Sequence, residues 1–350
     1  TGCTTPTVYV YGTGNTRGGL VGYANTSATI SSSSLTNAYI GTSSYKAGGG
    51  AGGIVGYCNG KVSISSMNTN ISTVYSSNEN VGGAIGYCTG ASITNTSLGT
   101  VSVTSGGNCK GGFIGKSAGN NAVTFTGSNS IGAITMNSAG SYVGMFIGSC
   151  EGMLTVSGQN ATVPKNFTYV GSGDNNYSRI GAIAGYANGA NISGYAFGNI
   201  TIGSETNRAC NYNGGFVGEC GSSFTLKNCS AESIKVYAAS VYKSSGTFSH
   251  SSSVSYNGGI VGKVNGNADV NTLEIGSLTL TSEGTYVGGI SGNVIGTTKL
   301  YNVSILGSLS SVVNKMPDTG GMIGYAAGAV TAENCVNHAS VTFAESRAYS

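Results

Sequence analysis

The sequence predicts an all-β protein, a β-solenoid (β-helix) of about ten coils with three short strands per coil and no substantial helix. Three observations predict this fold: a glycine frame that recurs ten times, alternating apolar and polar residues between the frames, and few charged residues. A recurrence of this length is typical of stacked units that share one continuous core. We therefore expect residues 1–350 to form a single repeat domain.

The frame consists of two glycines, two apolar residues and a third glycine. It is clearest at residues 52–58, Gly-Gly-Ile-Val-Gly-Tyr-Cys, and at residues 82–88. Consecutive frames start 29 to 44 residues apart, with a mean near 33. Glycine permits tight corners and close approach of stacked backbones. Good copies start at Gly18, Gly52, Gly82, Gly111, Gly214, Gly258, Gly288 and Gly320, and degenerate copies start at Gly144 and Gly181.

The chain between two frames predicts strands. A turn with Gly or Asn follows each frame, and then come alternating segments such as Val62-Ser63-Ile64 and residues 275–280. Period-two alternation with β-branched residues favours strands, and no stretch keeps the 3.6-residue period of a helix. The frame spacing varies mainly in the loop before each frame. The longest of these loops holds the polar tract 243–255, which we interpret as a protruding loop.

The two adjacent apolar residues inside each frame, such as Ile54 and Val55, need their own explanation. Adjacent residues of a straight strand point to opposite faces of the sheet. Either the outer face packs against something else, which indicates lateral assembly, or the strand bends at this point. The sequence leaves both interpretations open.

Composition limits the functional classes. Charged residues make up 8% of the chain and the net charge is +3, whereas about a quarter of an ordinary globular protein is charged. No basic stripe indicates a nucleic-acid partner. No apolar run is long enough to span a membrane, and no signal peptide is visible. Because the chain begins with Thr1 rather than Met, we expect a segment or processed piece of a longer precursor.

The repeat resembles the GLUG-motif family. Residues 18–23 match that family's Gly-Gly-Leu-Val-Gly-Tyr frame, and Asn228-Cys229 and Asn334-Cys335 match its Asn-Cys element. The resemblance covers nearly the whole chain, although the copies at Gly144 and Gly181 depart from it. It implies secreted or surface-displayed repeat regions of adhesin-like proteins, bacterial and protist, that are predicted to be β-solenoids.

The nine cysteines favour an oxidising, extracellular location. Equivalent residues of adjacent coils lie about 4.8 Å apart, which suits a disulfide. We therefore expect Cys58 and Cys88 to be bonded, and Cys220 to reach Cys210 or Cys229. The alternative is that these cysteines are small residues filling a tight core. No metal-ligand spacing is present. The cysteines that share one frame position are Cys58, Cys88, Cys150 and Cys220.

An odd number of cysteines leaves at least one free or bonded between chains. Cys3 and Cys335 lie in the first and last coils at the same position of the repeat. Neither end of the repeat carries an obvious polar cap, and open solenoid ends must be capped or paired. We therefore expect a head-to-tail filament in which Cys335 bonds or contacts Cys3 of a second copy.

Two further sets of residues are candidate sites. Tyr23, Tyr57 and Tyr87 share one frame position and are candidate ligand-facing aromatics for sugars or a protein partner; the alternative is a structural ladder between coils. Among ten Asn-x-Ser/Thr sequons, we consider those in the loop-like stretch before the degenerate frame at Gly181 the best candidates for N-glycosylation. These are Asn160, Asn166 and Asn176.

The acidic residues do not indicate an enzyme. A polysaccharide lyase or hydrolase needs paired acids, and no two acids share a position in adjacent coils. We expect no catalytic residue, no cofactor and no metal. An ice-binding solenoid needs a regular Thr-x-Thr array, and residues 124–126 and 279–281 show this pattern without repeating it in adjacent coils.

These observations favour an extracellular structural repeat protein. We expect a subunit of a surface filament, fibre or adhesin stalk that assembles with itself, head-to-tail through its open ends or laterally through an apolar face. The alternative is a carbohydrate- or receptor-binding adhesin module that uses the tyrosines and the loop 243–255 to bind glycans or cell-surface receptors. A lyase-like β-helix enzyme is the less favoured alternative.

Overall fold

The structure is a computed structural model, and each range that it describes contains strands, turns and loops without a helix. Its stacked parallel strands form a β-solenoid of about nine turns, because ten frames enclose nine complete intervals. No described helix is therefore available to cross a membrane. The chain divides into two compact units, residues 1–160 and 161–350, where the sequence indicated one domain. The described residues are 2–12, 14–42, 44, 49–77, 79–105, 107–137, 140–158, 165–171, 178–209, 211–238, 241–244, 247–250, 255–282, 285–312 and 318–344.

Each complete turn of unit 1 contributes four segments to four parallel ladders, one more than the three strands predicted. The additional segment is only two residues long and ends on the first glycine of the frame. The first ladder contains Arg17–Gly18, Ala51–Gly52, Val81–Gly82, Lys110–Gly111 and Val143–Gly144. The second contains Val21–Ala24, Val55–Cys58, Ile85–Cys88, Ile114–Ser117 and the start of Ile147–Val156. The third contains Ala28–Ser31, Lys61–Ser65, Gly90–Thr94, Val123–Thr126 and the end of Ile147–Val156. The fourth contains Thr4–Val10, Ser34–Ile40, Asn68–Ser76, Ser97–Ser105 and Ser130–Asn137.

Unit 2 repeats this order, but several of its strands run through two ladders. The first ladder contains Asn213–Gly214, Tyr256–Gly258, Tyr286–Gly288 and Asp318–Gly320. The second contains the start of Ala184–Ser193, then Val217–Cys220, Val261–Val264, Ser291–Val294 and Ile323–Ala326. The third and fourth share Phe224–Ala238, Ala268–Ser282 and Thr298–Val312. The third also contains the end of Ala184–Ser193 and Val330–Glu333, and the fourth contains Lys165–Tyr169, Ala196–Ile202, Val336–Asn337 and Ser340–Ala344.

One pair of strands lies outside these ladders. Val241–Ser244 and Thr247–His250 pair antiparallel in the longest interval between frames. The predicted loop 243–255 therefore contains the end of one strand and all of another. Of the remaining residues of that loop, only Ser255 is described, and it is buried.

The chain bends inside each frame, which answers the question of the apolar pair. Ile54 and Val55 are both fully buried, and both of their N–H groups donate to the carbonyl of Ala84 at 2.9 Å. In unit 2, Phe216 and Val217 likewise share the carbonyl of Ile260. Two consecutive donors that reach one acceptor cannot alternate as they do in a straight strand. The strand bends, both side chains enter the core, and the interpretation of this pair as an apolar outer face is wrong.

A second corner separates the third and fourth ladders. One residue at this corner adopts a left-handed backbone conformation in successive turns, with φ of 48° at Asn95, 58° at Thr272 and 52° at Asn302. Asn and Gly tolerate this conformation best. The recurring Asn-Cys element therefore places Asn at the corner and Cys in the next, inward-facing position.

Candidate functional site

The outward face of the second ladder of unit 1 carries a stack of tyrosines. Tyr23, Tyr57 and Tyr87 lie in register on consecutive turns, as predicted. The ring centroids of Tyr23 and Tyr57 are 5.4 Å apart and those of Tyr57 and Tyr87 are 4.4 Å apart, with interplanar angles of 10° and 7°. Tyr23 is 55% exposed, and the other two rings are half-buried.

The stacked geometry limits what this ladder can bind. A sugar packs against the flat face of an aromatic ring, but in this stack the faces cover one another. Tyr57, between two neighbours, presents mainly its ring edge and hydroxyl to solvent. Burial, followed by the neighbouring Tyr57, raises the pKa of Tyr87. The geometry favours the structural-ladder alternative over a row of sugar platforms.

An ion pair continues the same stripe on the next turns. Lys116 pairs in register with Tyr87, and its Nζ lies 2.9 Å from Glu151 Oε1. The backbone N–H of Gly119 donates to Glu151 at 2.8 Å. This hydrogen bond, together with that from Lys116, lowers the pKa of the Glu151 carboxyl.

In unit 2 the aromatic stripe lies on the other side of the frame, at the residue two places before its first glycine. Tyr256 and Tyr286 stack there at 5.1 Å and 7°. Arg179 lies over the ring of Tyr212 at 4.5 Å, and Lys263 lies over Tyr256 at 4.6 Å. This row was not predicted from the sequence, although its tyrosines share one position, two residues before the frame.

A turn with tyrosine at the second-ladder position has a different residue two places before the frame, and the reverse also holds. In unit 1, Tyr57 and Tyr87 share their turns with the small residues Gly50 and Asn80 at the position before the frame. A Cβ on Gly50 would lie only 3.4 Å from the Cβ of Tyr87, so the two rows are in contact. In unit 2 the order reverses, and Tyr212, Tyr256 and Tyr286 share their turns with Glu219, Lys263 and Asn293.

Glu219 anchors the unit 2 stripe. It is 7% exposed, its Oε2 accepts from Arg179 Nε at 2.5 Å, and its Oε1 accepts from Asn265 Nδ2 at 3.3 Å. A carboxylate this deeply buried needs such partners. These hydrogen bonds connect three successive turns. They indicate that Glu219 stabilises the stack and is not a carboxylate available for catalysis.

The disulfide expected between Cys58 and Cys88 is not formed in the structure. Both are free, fully buried thiols, and their Sγ atoms donate to the carbonyls of Thr26 at 2.9 Å and Lys116 at 3.9 Å. The two residues do face one another across adjacent turns, because Tyr57 and Tyr87, the residues before them, are in register. The alternative that these cysteines fill the core describes the structure.

Two further cysteines for which disulfides were expected are also free thiols in the core. Cys220 and Cys229 are free and buried, and each donates to a nearby carbonyl, Ser223 at 3.2 Å and Lys227 at 3.3 Å. Cys210 lies outside the described residues. Burial raises the pKa of buried thiols to about 11 for Cys88 and Cys229 and to about 12 for Cys109, Cys150 and Cys220.

Cys3 and Cys335 occupy equivalent corner positions, as predicted. Each follows a residue with left-handed φ, 68° at Gly2 and 54° at Asn334. Cys3 is exposed and Cys335 is half-buried, and both are free. They are the most accessible of the described cysteines.

The sequon prediction is only partly covered by described residues. Asn160 and Asn176 lie outside the described residues. Asn166 is exposed, and its Oδ1 accepts from the backbone N–H of Asn199, one turn away, at 2.8 Å.

Two outward positions of the third ladder of unit 1 carry hydroxyl groups on five consecutive turns, whereas the outward position before them does not, since it includes the exposed Lys61 and its partner Gly90. The hydroxyls of Thr94 and Thr126 lie 3.0 Å apart. Strict Thr-x-Thr does not repeat in adjacent turns, but Ser and Thr together do. The first file is Thr29, Ser63, Ser92, Thr124 and Thr155, and the second is Ser31, Ser65, Thr94, Thr126 and Ser157. The ten equivalent positions of unit 2 include only three Ser or Thr residues, Ser193, Thr225 and Thr331, beside the charged residues Lys227, Asp269, Lys299 and Glu333.

Within the described ranges, acidic residues do not assemble into a site. No acid is in register with another acid on a neighbouring turn. No group of three His, Cys, Asp or Glu side chains in this part of the chain is placed to hold a metal ion.

No protein-family profile matches the chain, and no curated protein or solved structure shows significant similarity to it.

Proposed function

We propose that this chain is an extracellular structural repeat protein, a subunit of a surface fibre or stalk that associates with a second copy of itself. The observation that carries the proposal is the exposure of core positions in the turn formed by residues 318–344. Val341 is 37% exposed, although Leu309, its partner one turn earlier, is fully buried. Val330 is 51% exposed beside Thr298, which is 1% exposed.

This turn resembles a protein core cut open. Among the described residues, its strands pair only with the preceding turn. The N–H and C=O groups on the other edge of such strands favour pairing with a further strand. The first described turn of unit 1 is similarly open, because Val8, Val10 and Val21 are only half-buried, whereas Ile40 and Val55 on the next turns are fully buried. A second copy that stacks its first turn on residues 318–344 would cover apolar residues on both sides. The motif resemblance to adhesin-like repeats supports the same extracellular role.

The test is the association state of the purified protein. We expect sedimentation velocity to show concentration-dependent oligomers, and negative-stain micrographs to show rods longer than one copy. Val341→Lys should prevent this association because it places a charge on the open edge. Leu306→Lys is the matched control, because Leu306 is 42% exposed away from that edge. A protein that remains monomeric at every concentration, or a Val341→Lys variant that assembles normally, would contradict the proposal.

The covalent form of the contact is tested separately. If Cys335 of one copy reaches Cys3 of the next, non-reducing electrophoresis of an assembled sample should show dimers and longer ladders that a reductant removes. Cys3→Ser should abolish the ladder without changing the sedimentation of reduced protein. Monomer alone in an assembled, oxidised sample would restrict the contact to noncovalent stacking.

The hydroxyl array of unit 1 favours a second candidate function, binding to ice. The array is uncharged, lacks register shifts, and repeats about every 4.8 Å between turns and about every 6.6 Å along the strand. A hydroxyl both donates and accepts hydrogen bonds, as a water molecule in a lattice does. The array contains no Trp, Tyr or Arg, the residues that usually contribute most of the binding energy at a protein–protein interface.

Ice binding predicts a position-specific loss. Ser92→Tyr places a bulky ring in the centre of the array and should abolish ice-crystal shaping and thermal hysteresis. Thr225→Tyr changes the equivalent position of unit 2 and should leave both unchanged. Absence of crystal shaping by the wild-type protein would exclude this function, and equal loss in both variants would place the activity elsewhere.

A further inference from the structure

We propose that Tyr57 and Tyr87 form a site of oxidative cross-linking, where a dityrosine bond joins two adjacent turns of the solenoid. The residues are in register in the second ladder of unit 1. Their ring centroids are 4.4 Å apart and their planes differ by 7°. Among the stacked tyrosine pairs of the described chain, this pair is the closest.

Access and proximity both favour coupling. Each ring is half-exposed, so a small diffusing oxidant can remove an electron from either phenol. When two reactants are held in contact, their reaction becomes effectively unimolecular and each has a high effective concentration for the other. The backbone ladder holds these two rings together before any oxidation occurs, and the exposed edges leave them room to turn towards each other.

The oxidant for this coupling is hydrogen peroxide, used by an added haem peroxidase. Each phenol gives one hydrogen atom to the oxidant, which yields two phenoxyl radicals and reduces one peroxide to two water molecules. The radicals join through the ring carbons next to the hydroxyl-bearing carbons. The hydrogens on those two carbons then move to the phenolic oxygens, which restores both aromatic rings. The product contains two hydrogen atoms fewer than the starting protein.

The positions of the lysines make the product easy to identify. Trypsin cleaves after Lys46, Lys61 and Lys110 and places Tyr57 alone in peptide 47–61. Tyr87 falls in peptide 62–110, which also contains Tyr75. Peptide 47–61 also contains Cys58, and peptide 62–110 contains Cys88 and Cys109. Once the cysteines have been reduced and alkylated, a covalent pair of these two peptides therefore reports a cross-link from Tyr57 to either Tyr87 or Tyr75.

The experiment treats dilute wild-type protein with peroxide and peroxidase and measures dityrosine fluorescence. The protein is then denatured, reduced and alkylated to remove any disulfide, and its tryptic peptides are mapped by mass spectrometry. We expect the 47–61 and 62–110 pair to form within the monomer, to disappear in Tyr87→Phe, and to persist in Tyr75→Phe. Circular dichroism checks that the variants fold, and Tyr57→Phe gives an independent loss of the pair. The proposal is overturned if wild-type protein yields no such pair, if the pair survives in Tyr87→Phe, or if cross-links form only between chains.

This inference does not depend on self-association. A protein that stays monomeric at every concentration and forms the intrachain pair would contradict the proposed assembly and support the cross-link. A protein that assembles without forming the pair would give the opposite result.

Discussion

The third glycine of most frames lies against backbone atoms, most of them in the preceding turn. A Cβ at Gly86 would lie 2.4 Å from the backbone N of Ala51 and 2.5 Å from the carbonyl oxygen of Gly56. No side chain can move aside to relieve such a contact. Gly22 holds the same frame position in the first turn, where the nearest atom, the carbonyl oxygen of Thr16, is 3.9 Å away.

This pair of glycines gives a matched prediction. Gly86→Ala should lower the free energy of unfolding by about 3 kcal/mol or more, because the added methyl forces two backbones apart. Gly22→Ala should change it by less than about 1 kcal/mol. Chemical denaturation followed by circular dichroism measures both. Equal effects of the two substitutions would show that conformational freedom, and not close stacking, explains these glycines.

At the scale of the element, the first ladder of unit 1 carries a buried cation. Lys110 is fully buried between Val81 and Val143 of the neighbouring turns. Burial lowers its pKa to about 8, from an ordinary value of 10.5. A shift of this size corresponds to a cost of about 3 kcal/mol for keeping the side chain charged in the folded state.

The shift fixes the sign of a pH effect. Between about pH 8 and 10.5 the unfolded chain holds this proton more tightly than the folded one, so Lys110 contributes a rise in stability with pH in that window. Lys110→Met removes the charge and should stabilise the protein most at pH 7, with a smaller gain at pH 10. Urea unfolding at both pH values measures this difference. Lys61→Met, at an exposed site, is the control, and a gain for Lys110→Met that does not shrink with pH would contradict the explanation.

At the scale of the whole molecule, the described cysteines divide into interior and end positions. Six are buried, and only Cys3 and Cys335 are accessible in the first and last described turns. Burial keeps reagents away from all six interior thiols. Thiolates are the reactive form, and burial also raises the pKa of Cys88, Cys109, Cys150, Cys220 and Cys229, which suppresses their reaction further.

This division predicts a labelling pattern. In the folded, reduced protein, iodoacetamide should modify Cys3 and Cys335 first. The buried thiols of Cys58 and Cys88 should react only after denaturation. Peptide mapping by mass spectrometry reads both states. If Cys58 and Cys88 stay unmodified in denatured, unreduced protein and react after reduction, they are bonded, contrary to the structure.

The sequence predicted the parts of the molecule that repeat at fixed spacing. The solenoid, the column of Tyr23, Tyr57 and Tyr87, and the equivalence of Cys3 and Cys335 all follow from aligning the frames. The bend at Ile54 and Val55 did not follow, because alternation assumes a straight strand. It depends on two N–H groups that share one carbonyl, a backbone arrangement with no residue signature of its own.

The candidate surfaces were predicted less well, since they depend on which face a residue occupies. The unit 2 row of Tyr212, Tyr256 and Tyr286 precedes the frame and was missed. The hydroxyl array is not evident from the sequence because it mixes Ser with Thr, and only the strand register places its members side by side. The sequence predicted three strands per turn and the structure has four segments. The additional segment was not predicted because two residues are too few to show an alternating pattern.

The carbonyl shared by two N–H groups at most frame bends also determines how the molecule opens. Each such carbonyl ties a turn to its immediate neighbour and to nothing more distant, so an interior turn cannot loosen without breaking bonds on both sides. The turn formed by residues 318–344 has a described neighbour on one side only. Within the described part of unit 2, we therefore expect the backbone amides of this turn to exchange with water fastest, and exchange to slow with each turn further from it.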